Sequence, residues 1–208
     1  MPEVETPEAR GQHYIKDWIL YDALGGKTID VTKWRLDVGG LVKNNLSLSY
    51  EDLNRMAQVK YVHDFNCVTR WSIKDVHWEG VSLKSVIEKA KPLENAKFIM
   101  FRCIEGYSTP VPLEEAISEN SIIALKIDEK PIGFERGGPV RPFIPDLYGW
   151  KSAKWLTKIE LMEQYEDGYW EQYGYHGRGR TDLEERFKSY EWQKIKKHIL
   201  GVFDSAKN

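Results

Sequence analysis

The apolar residues of this chain come in short stretches, and their periodicity limits the possible folds more than any other feature. None approaches the roughly 20 apolar residues that a membrane-spanning helix needs, as the run at residues 122–125 illustrates. Some stretches alternate as strands do and others follow a helical period, with no regular strand–helix–strand order and no repeat. We therefore predict an α+β fold of mixed β-sheets with short helices.

Local signals locate the individual elements. Ser49 lies three residues before Asp52, as in a capping box, and predicts a short helix. Residues 83–90 predict a second helix between a Ser82 cap and Pro92. Strands are predicted at residues 34–38, 97–103, 121–127 and 156–162, and a turn at residues 128–133. A further helix is predicted at residues 113–117, after Pro112. A last helix is predicted at residues 182–200, a segment that is heavily charged.

Charge and cysteine content exclude several classes of protein. The 30 Lys and Arg against 32 Asp and Glu leave a formal net charge of -2, which argues against a general nucleic-acid binder. Two cysteines cannot form a dense disulfide framework, and the polar start lacks the features of a secretion signal. We expect a cytoplasmic protein with reduced thiols and no membrane span. The 8 Trp and 11 Tyr favour an aromatic-lined pocket or a large contact surface.

Reactive side chains concentrate in residues 63–72, around Cys67. A thiolate is a nucleophile and a soft metal ligand, and a nearby cation such as Arg70 would lower the pKa of the thiol. Three other interpretations compete. A lone cysteine is more often buried and inert, His63 with Cys67 supplies only part of a structural zinc site, and nothing nearby marks the base of a cysteine hydrolase. Spacing alone leaves the choice open.

Cations concentrate in residues 136–154, where four of them are interleaved with aromatic residues. Two adjacent glycines, Gly137 and Gly138, let the backbone approach a ligand closely, and guanidinium groups make two-point contacts with phosphate. The segment predicts a site for an anionic, flat, heteroaromatic ligand. A glycine turn with solvated cations explains the same pattern, and no nucleotide-binding glycine motif accompanies it.

Five segments, taken together and in this order, resemble the molybdopterin-binding domain of the sulfite oxidase family. They are residues 66–72, 80–83, 136–141, 148–156 and 168–176. The resemblance covers roughly residues 17–187, which leaves a polar lead-in at residues 1–16 and a charged C-terminal helix at residues 188–208. It implies a sulfite-oxidase-like fold and a molybdopterin cofactor that carries molybdenum.

The resemblance also implies roles for individual residues. Cys67 would be the equatorial thiolate ligand of molybdenum, with Tyr175 and Arg70 as further catalytic residues. Tyr175 could equally be an aromatic contact, whereas for Cys103 the favoured alternative is a buried strand residue. The implied cofactor-binding residues are Tyr21, Asp22, Asn66, Cys103, Arg136, Arg141, Lys151, Ser152, Ala153 and Lys154. Among them, Arg136 stands where relatives have His or Asn.

The function implied by the resemblance is two-electron oxygen-atom transfer on a small substrate, either sulfite-like or a sulfoxide or N-oxide, with a separate electron carrier. The sequence lacks a counterpart of the arginine-supplying dimerisation domain of sulfite-oxidising members and of the twin-arginine signal of exported methionine sulfoxide reductases. Substrate and oligomeric state therefore stay open. The alternatives are a metal-free scaffold of the same fold and a binding module whose aromatic segment, residues 169–180, stacks on single-stranded nucleic acid.

Overall fold

A computed structural model describes residues 7–188 as short strands and helices. The strands are β1 His13–Tyr14, β2 Arg35–Gly40, β3 Leu46–Ser49, β4 Gln58–Asn66, β5 Trp71–Ser82, β6 Phe98–Cys103, β7 Ser108–Pro112, β8 Ile122–Ile127, β9 Lys130–Pro131, β10 Arg141–Phe143 and β11 Leu156–Met162. The helices are α1 Tyr50–Arg55, α2 Leu83–Ala90, α3 Leu113–Ala116 and α4 Tyr169–Gln172. This mixture confirms the predicted α+β class. Within the part of the chain described, no helix has the length and apolar character needed to cross a bilayer.

The strands form two sheets. The first is six-stranded with the order β1-β5-β8-β10, and β4 and β9 pair with β5 and β8 respectively. The second is five-stranded with the order β3-β2-β11-β6-β7. Parallel pairing joins β1 to β5 and β11 to β2, and the remaining strand pairs are antiparallel. Both sheets are therefore mixed, as predicted.

The main core lies between the two sheets, and a second apolar cluster covers the other face of the first sheet. Strand β8 shows the arrangement, because successive side chains of a strand point to opposite faces. Ile123 packs with the second sheet, whereas Ile122 packs with Trp78 and Phe143 on the outer face. The rings of Trp78 and Phe143 stack with their centroids 3.7 Å apart. A strand buried on both faces explains why β8 reads as an almost continuous apolar run.

Helices α1 and α2, for which the sequence predicted N-terminal caps at Ser49 and Ser82, are both confirmed. The Ser49 Oγ accepts a hydrogen bond from the Asp52 backbone N–H at 3.0 Å, and the Asp52 carboxylate accepts one from the Ser49 N–H at 2.9 Å. In α2 the apolar positions are buried, and Ser82 caps the first turn. Each cap satisfies a backbone N–H that has no partner within the helix.

The helix predicted at residues 182–200 is wrong over residues 182–188, which form a turn and an isolated bridge between Tyr175 and Phe187. Tertiary contacts override helix propensity there, since Arg186 is buried and Phe187 packs on Tyr175. The rest of that prediction, and the C-terminal helix at residues 188–208 beyond Lys188, lie outside the described residues. In the predicted lead-in, residues 13–14 form β1, while residues 1–6 are also outside the described part.

Candidate active site

Residues 67–70 form the tight connection between β4 and β5, and this connection presents Cys67. The Cys67 N–H donates to the carbonyl oxygen of Trp71 at 2.9 Å, and the Arg70 N–H donates to that of Cys67 at 3.1 Å. Gln12 adds a side-chain hydrogen bond to the Cys67 carbonyl at 2.9 Å. The backbone around the thiol is thus held from within the hairpin and from the N-terminal segment.

The thiol of Cys67 lies in a mostly apolar setting. Burial raises its pKa, and the Thr69 hydroxyl, 3.2 Å from the sulfur, and the positive charge of Arg186 oppose that rise. The structure does not bring Arg70 into this role. Its guanidinium lies over Gly11, where an added Cβ would be 2.8 Å from Arg70 Nη1. The cation that acts on the thiol is Arg186, for which the sequence offered no motif.

Arg141 is buried and Lys154 is half-buried, and both side chains are basic. Arg141 donates from Nε to Ser152 Oγ and from Nη1 to the Arg136 carbonyl, each at 2.8 Å. Burial lowers the pKa of Arg141 to about 10. Burial, with the charge of Arg141, lowers the pKa of Lys154 to about 8. Because burial disfavours both charges, a negative ligand beside them would be stabilised.

Gly137 allows the close packing that positions Lys154. Its φ is +89°, in the left-handed region, and a Cβ there would lie 2.5 Å from the Lys154 Cβ. The Trp155 N–H donates to the Gly137 carbonyl at 2.8 Å. The close approach that this glycine permits is therefore to Lys154, rather than directly to a ligand.

A single cavity of about 410 Å³ joins the Cys67 loop to the cationic segment. Its lining therefore brings together residues from widely separated parts of the chain. The predicted site residues in that lining are Tyr21, Asp22, Cys67, Arg136, Arg141, Ser152, Ala153, Lys154 and Tyr175. The predicted residues outside it are Asn66, Arg70, Cys103 and Lys151.

The residues outside the lining have structural contacts instead. The buried Lys151 ammonium donates to the Pro110 carbonyl at 2.6 Å and to Glu171 Oε1 at 2.7 Å. Asn66 accepts a hydrogen bond from Ser72 across the hairpin at 2.6 Å. Cys103 is buried at the end of β6, and burial raises the pKa of its thiol well above the usual range. Lys151 and Asn66 thus support the walls of the site.

Aromatic side chains form one wall of the cavity. The buried ring of Tyr175 lies 5.1 Å from the ring of Trp150 and 5.0 Å from that of Trp170. Tyr21 reaches the same wall, 6.3 Å from Trp170. The segment predicted as an alternative nucleic-acid platform is therefore largely packed against itself. The sequence indicated an aromatic-lined pocket from its Trp and Tyr content, and the cationic segment pointed to Trp150, but no sequence signal marked Trp18, Phe65 and Glu105 as lining residues.

The side chains of this cavity fit a phosphate-bearing metal cofactor. Cys67 supplies a soft sulfur donor, and Arg141, Lys154 and Ser152 supply groups suited to a phosphate. Within residues 7–188, no group of three His, Cys, Asp or Glu side chains could hold a metal ion. Glu105 Oε2 is shielded from solvent and has no hydrogen-bond partner among the described residues.

Comparison with known proteins finds a match over most of the chain. The model of the oxidoreductase molybdopterin binding domain matches residues 24–170. The uncharacterized oxidoreductase YuiH of Bacillus subtilis is 39% identical over 158 residues, which cover 76% of this chain and 80% of YuiH. The protein-methionine-sulfoxide reductase catalytic subunit MsrP of Campylobacter jejuni is 26% identical over 195 residues, which cover 85% of this chain and 65% of MsrP.

A solved structure shares the fold. The sulfane dehydrogenase SoxCD of Paracoccus pantotrophus superposes with a TM-score of 0.64 at 17% identity, covering 75% of this chain and 46% of that one. The chain therefore spans less than half of the SoxCD chain and just under two thirds of MsrP.

Proposed function

The chain belongs to the family of oxidoreductase molybdopterin-binding domains, and on this basis we propose that it reduces the S=O group of neutral sulfoxides. It is an oxidoreductase with a molybdopterin cofactor. The observation that carries the proposal is that the side chains lining the cavity beside Cys67, those of Val68, Thr69, Trp150 and Tyr175, are uncharged. Arg186, whose charge acts on the thiol, lies outside the lining and donates to the Val68 and Arg10 carbonyls. The Arg and Lys side chains of the lining all come from the other segment, residues 136–154.

This distribution of charge favours a neutral substrate over an anion. Sulfite carries negative charge, and burying a charge without a paired cation is expensive. A sulfoxide is a neutral dipole, so one hydrogen-bond donor and an apolar surface for its alkyl groups suffice. Arg136, Arg141 and Lys154 are the cations that we assign to the cofactor phosphate. The likeness to MsrP, whose name states protein-methionine-sulfoxide reductase, supports the same substrate class.

The residues of this chain would have the following roles in the reaction. Cys67 holds the metal, and Arg141, Lys154 and Ser152 hold the phosphate. The Tyr175 phenol donates a hydrogen bond to the substrate oxygen, and the ring of Trp150 contacts the alkyl groups. When bound, the cofactor supplies two-electron redox chemistry. The net reaction takes a sulfoxide, two electrons and two protons to a thioether and water. A separate carrier supplies the electrons.

The test uses the molybdenum-loaded enzyme with a reduced viologen dye and a panel of methionine sulfoxide, dimethyl sulfoxide and an N-oxide. Sulfite oxidation is followed in parallel with ferricyanide. We expect the sulfoxides to have the highest kcat/KM. Tyr175→Phe should lower kcat for sulfoxides by roughly 100-fold, the usual effect of losing one donor to a developing charge, while molybdenum content stays unchanged.

The matched control is Tyr173→Phe, because Tyr173 is exposed and does not line the cavity. It should leave turnover unchanged. Sulfite turnover above that of every sulfoxide would overturn the substrate assignment, and an unchanged kcat in Tyr175→Phe would overturn the role of the phenol.

A further inference from the structure

Lys151 and Glu171 form a buried ion pair behind the wall of the cavity. Their side chains are 1% and 0% exposed, and Lys151 Nζ lies 2.7 Å from Glu171 Oε1. Neither residue belongs to the cavity lining. Removing two charges from water costs about as much as their attraction returns, so a buried ion pair is weak evidence for stability alone. The residues that the pair contacts are therefore the better guide to its role.

One carboxylate oxygen of Glu171 joins the cavity wall to the second sheet. Glu171 Oε1 accepts a hydrogen bond from the indole N–H of Trp150 at 2.9 Å, and Trp150 lines the cavity. The same oxygen accepts from the Thr109 hydroxyl at 2.8 Å and from the Lys151 ammonium at 2.7 Å. Thr109 lies in β7, as does Pro110, whose carbonyl accepts a hydrogen bond from Lys151. The acceptor that the indole meets is thus held in place by β7.

Other rings pack against Trp150 without fixing the direction of its indole N–H. Trp150 stacks on Tyr148 with the centroids 5.5 Å apart, and it meets Tyr175 edge-on at 5.1 Å. Gly179 leaves room for the six-membered part of the indole, since a Cβ there would lie 2.8 Å from Trp150 Cζ2. Rotation of an indole about its Cβ–Cγ bond has broad, roughly two-fold minima. The hydrogen bond to Glu171 is directional, and it therefore selects one orientation of the ring.

We propose that Glu171 is a positioning residue for the substrate site. Its carboxylate orients the Trp150 indole, so that the ring presents a fixed apolar surface to the alkyl groups of the sulfoxide, and Lys151 holds the carboxylate in place. This inference rests on the proposed function, in which Trp150 contacts those alkyl groups. Tyr175 has a separate support in the ring of Trp170, 5.0 Å away. Loss of the Glu171 acceptor should therefore weaken substrate binding more than turnover.

Two double variants separate the hydrogen bond from the ion pair. Lys151→Met together with Glu171→Gln removes both charges and keeps an acceptor oxygen for the indole N–H, whereas Lys151→Met together with Glu171→Met removes the acceptor as well. A buried ion pair can often be replaced by uncharged side chains of similar volume without loss of stability. In the molybdenum-loaded enzyme, we expect KM for methionine sulfoxide to be about 10-fold higher in the second variant than in the first. Molybdenum content should be equal, and kcat should differ by less than about twofold.

A second readout does not involve turnover. In protein labelled with 5-fluorotryptophan, the fluorine resonance of Trp150 is identified by its loss in Trp150→Phe. We expect this resonance to move or split in the double variant with Glu171→Met relative to the one with Glu171→Gln, because the freed indole populates both orientations. Glu171→Asp keeps the charge opposite Lys151 but draws the carboxylate back by one methylene, so it should move the resonance too. This single variant tests the same hydrogen bond without removing the ion pair.

Glu115→Gln is the matched control, since Glu115 is also buried and lies near Arg178 and Arg180, and all three residues are outside the lining. It should lower Tm and leave both KM and the Trp150 resonance unchanged. Equal KM values in the two double variants would overturn the proposal, as would a Trp150 resonance that stays in place in Glu171→Asp. If the unaltered enzyme turned over no sulfoxide, the sulfoxide assignment would fail, and the fluorine resonance would still decide whether Glu171 orients Trp150.

Discussion

At the scale of single residues, Cys67 and Cys103 show that the environment of a side chain decides its role. Both thiols are free. Cys67 sits in a loop and lines the cavity, whereas Cys103 is buried in β6 and does not. A buried thiol in apolar surroundings is inert, because its thiolate is disfavoured. The structure thus separates two residues of the same type into a thiol that lines the cavity, which we propose as the metal ligand, and a core residue.

We predict that Cys67→Ser lowers bound molybdenum from about one per chain to near zero, because a hydroxyl is a poor soft-metal ligand. The Tm of the cofactor-free protein should change little, since Ser is close to Cys in size. Metal analysis of purified protein checks this. Cys103→Ala is the control and should retain molybdenum. Full metal content in Cys67→Ser would contradict the assigned ligand.

A pH-dependent prediction follows from Glu105. Its pKa is raised from 4.5 in the unfolded chain to about 7 in the folded one, so the cofactor-free protein loses stability as pH rises through that range. Glu105→Gln lacks this loss. Its Tm should match that of the unaltered protein at acidic pH and exceed it by about 2–4 °C above neutrality, if the effect is worth about 1 kcal/mol. Thermal melts of both proteins across this pH range check the prediction, with Glu135→Gln as the control. A difference in Tm between Glu105→Gln and the unaltered protein that shrinks with rising pH would contradict it.

At the scale of elements, the parts that were predicted are those whose signals are local. The helical period of α2 and the capping box of α1 each lie within a few residues and are confirmed. The long hairpin of β4 and β5 was missed as a pair of strands. Its register shifts between His63 and Phe65. This irregularity moves side chains to the opposite face, so the alternation that reveals a strand is interrupted.

The turn at Gly137 positions Lys154, and a substitution there tests this. Gly137→Ala should lower both Tm and cofactor retention, because its Cβ would displace Lys154. Gly25→Ala is a matched control: φ at Gly25 is +72°, but a Cβ there meets nothing within 4 Å. Gly25→Ala should cost only the left-handed strain of about 1 kcal/mol and leave retention unchanged. Equal retention in the two variants would contradict the positioning of Lys154.

At the scale of the whole molecule, Arg186 joins three parts of the chain. Its guanidinium donates to the Val68 carbonyl at 2.6 Å, to the Arg10 carbonyl at 2.9 Å and to Gln12 Oε1 at 3.2 Å. It also lies 4.6 Å over the ring of Tyr148. The N-terminal segment, the Cys67 loop and the end of the described chain are thereby held together next to the cavity.

We predict that Arg186→Lys costs about 2 kcal/mol or more, because an ammonium cannot reach all of these acceptors and hydrogen bonds to charged groups are the strong ones. The free energy of unfolding in urea measures this. Arg178→Lys is the control from the same segment, since Arg178 pairs with Glu185 near the surface and such pairs are worth about 0–1 kcal/mol. Equal losses in the two variants would show that Arg186 has no special bridging role.

The fold class and helices α1 and α2 could be predicted from the sequence, because their signals lie among neighbouring residues. The cofactor was implied by the resemblance of five ordered segments to a known family. Which side chains meet became clear only in the folded chain. It brought Arg141 and Lys154 into one cavity with Cys67, left Lys151 outside it, and gave Arg186 the place expected for Arg70. Charge interactions and hydrogen bonds depend on distance in space, and local propensity carries no information about segments separated by more than a hundred residues.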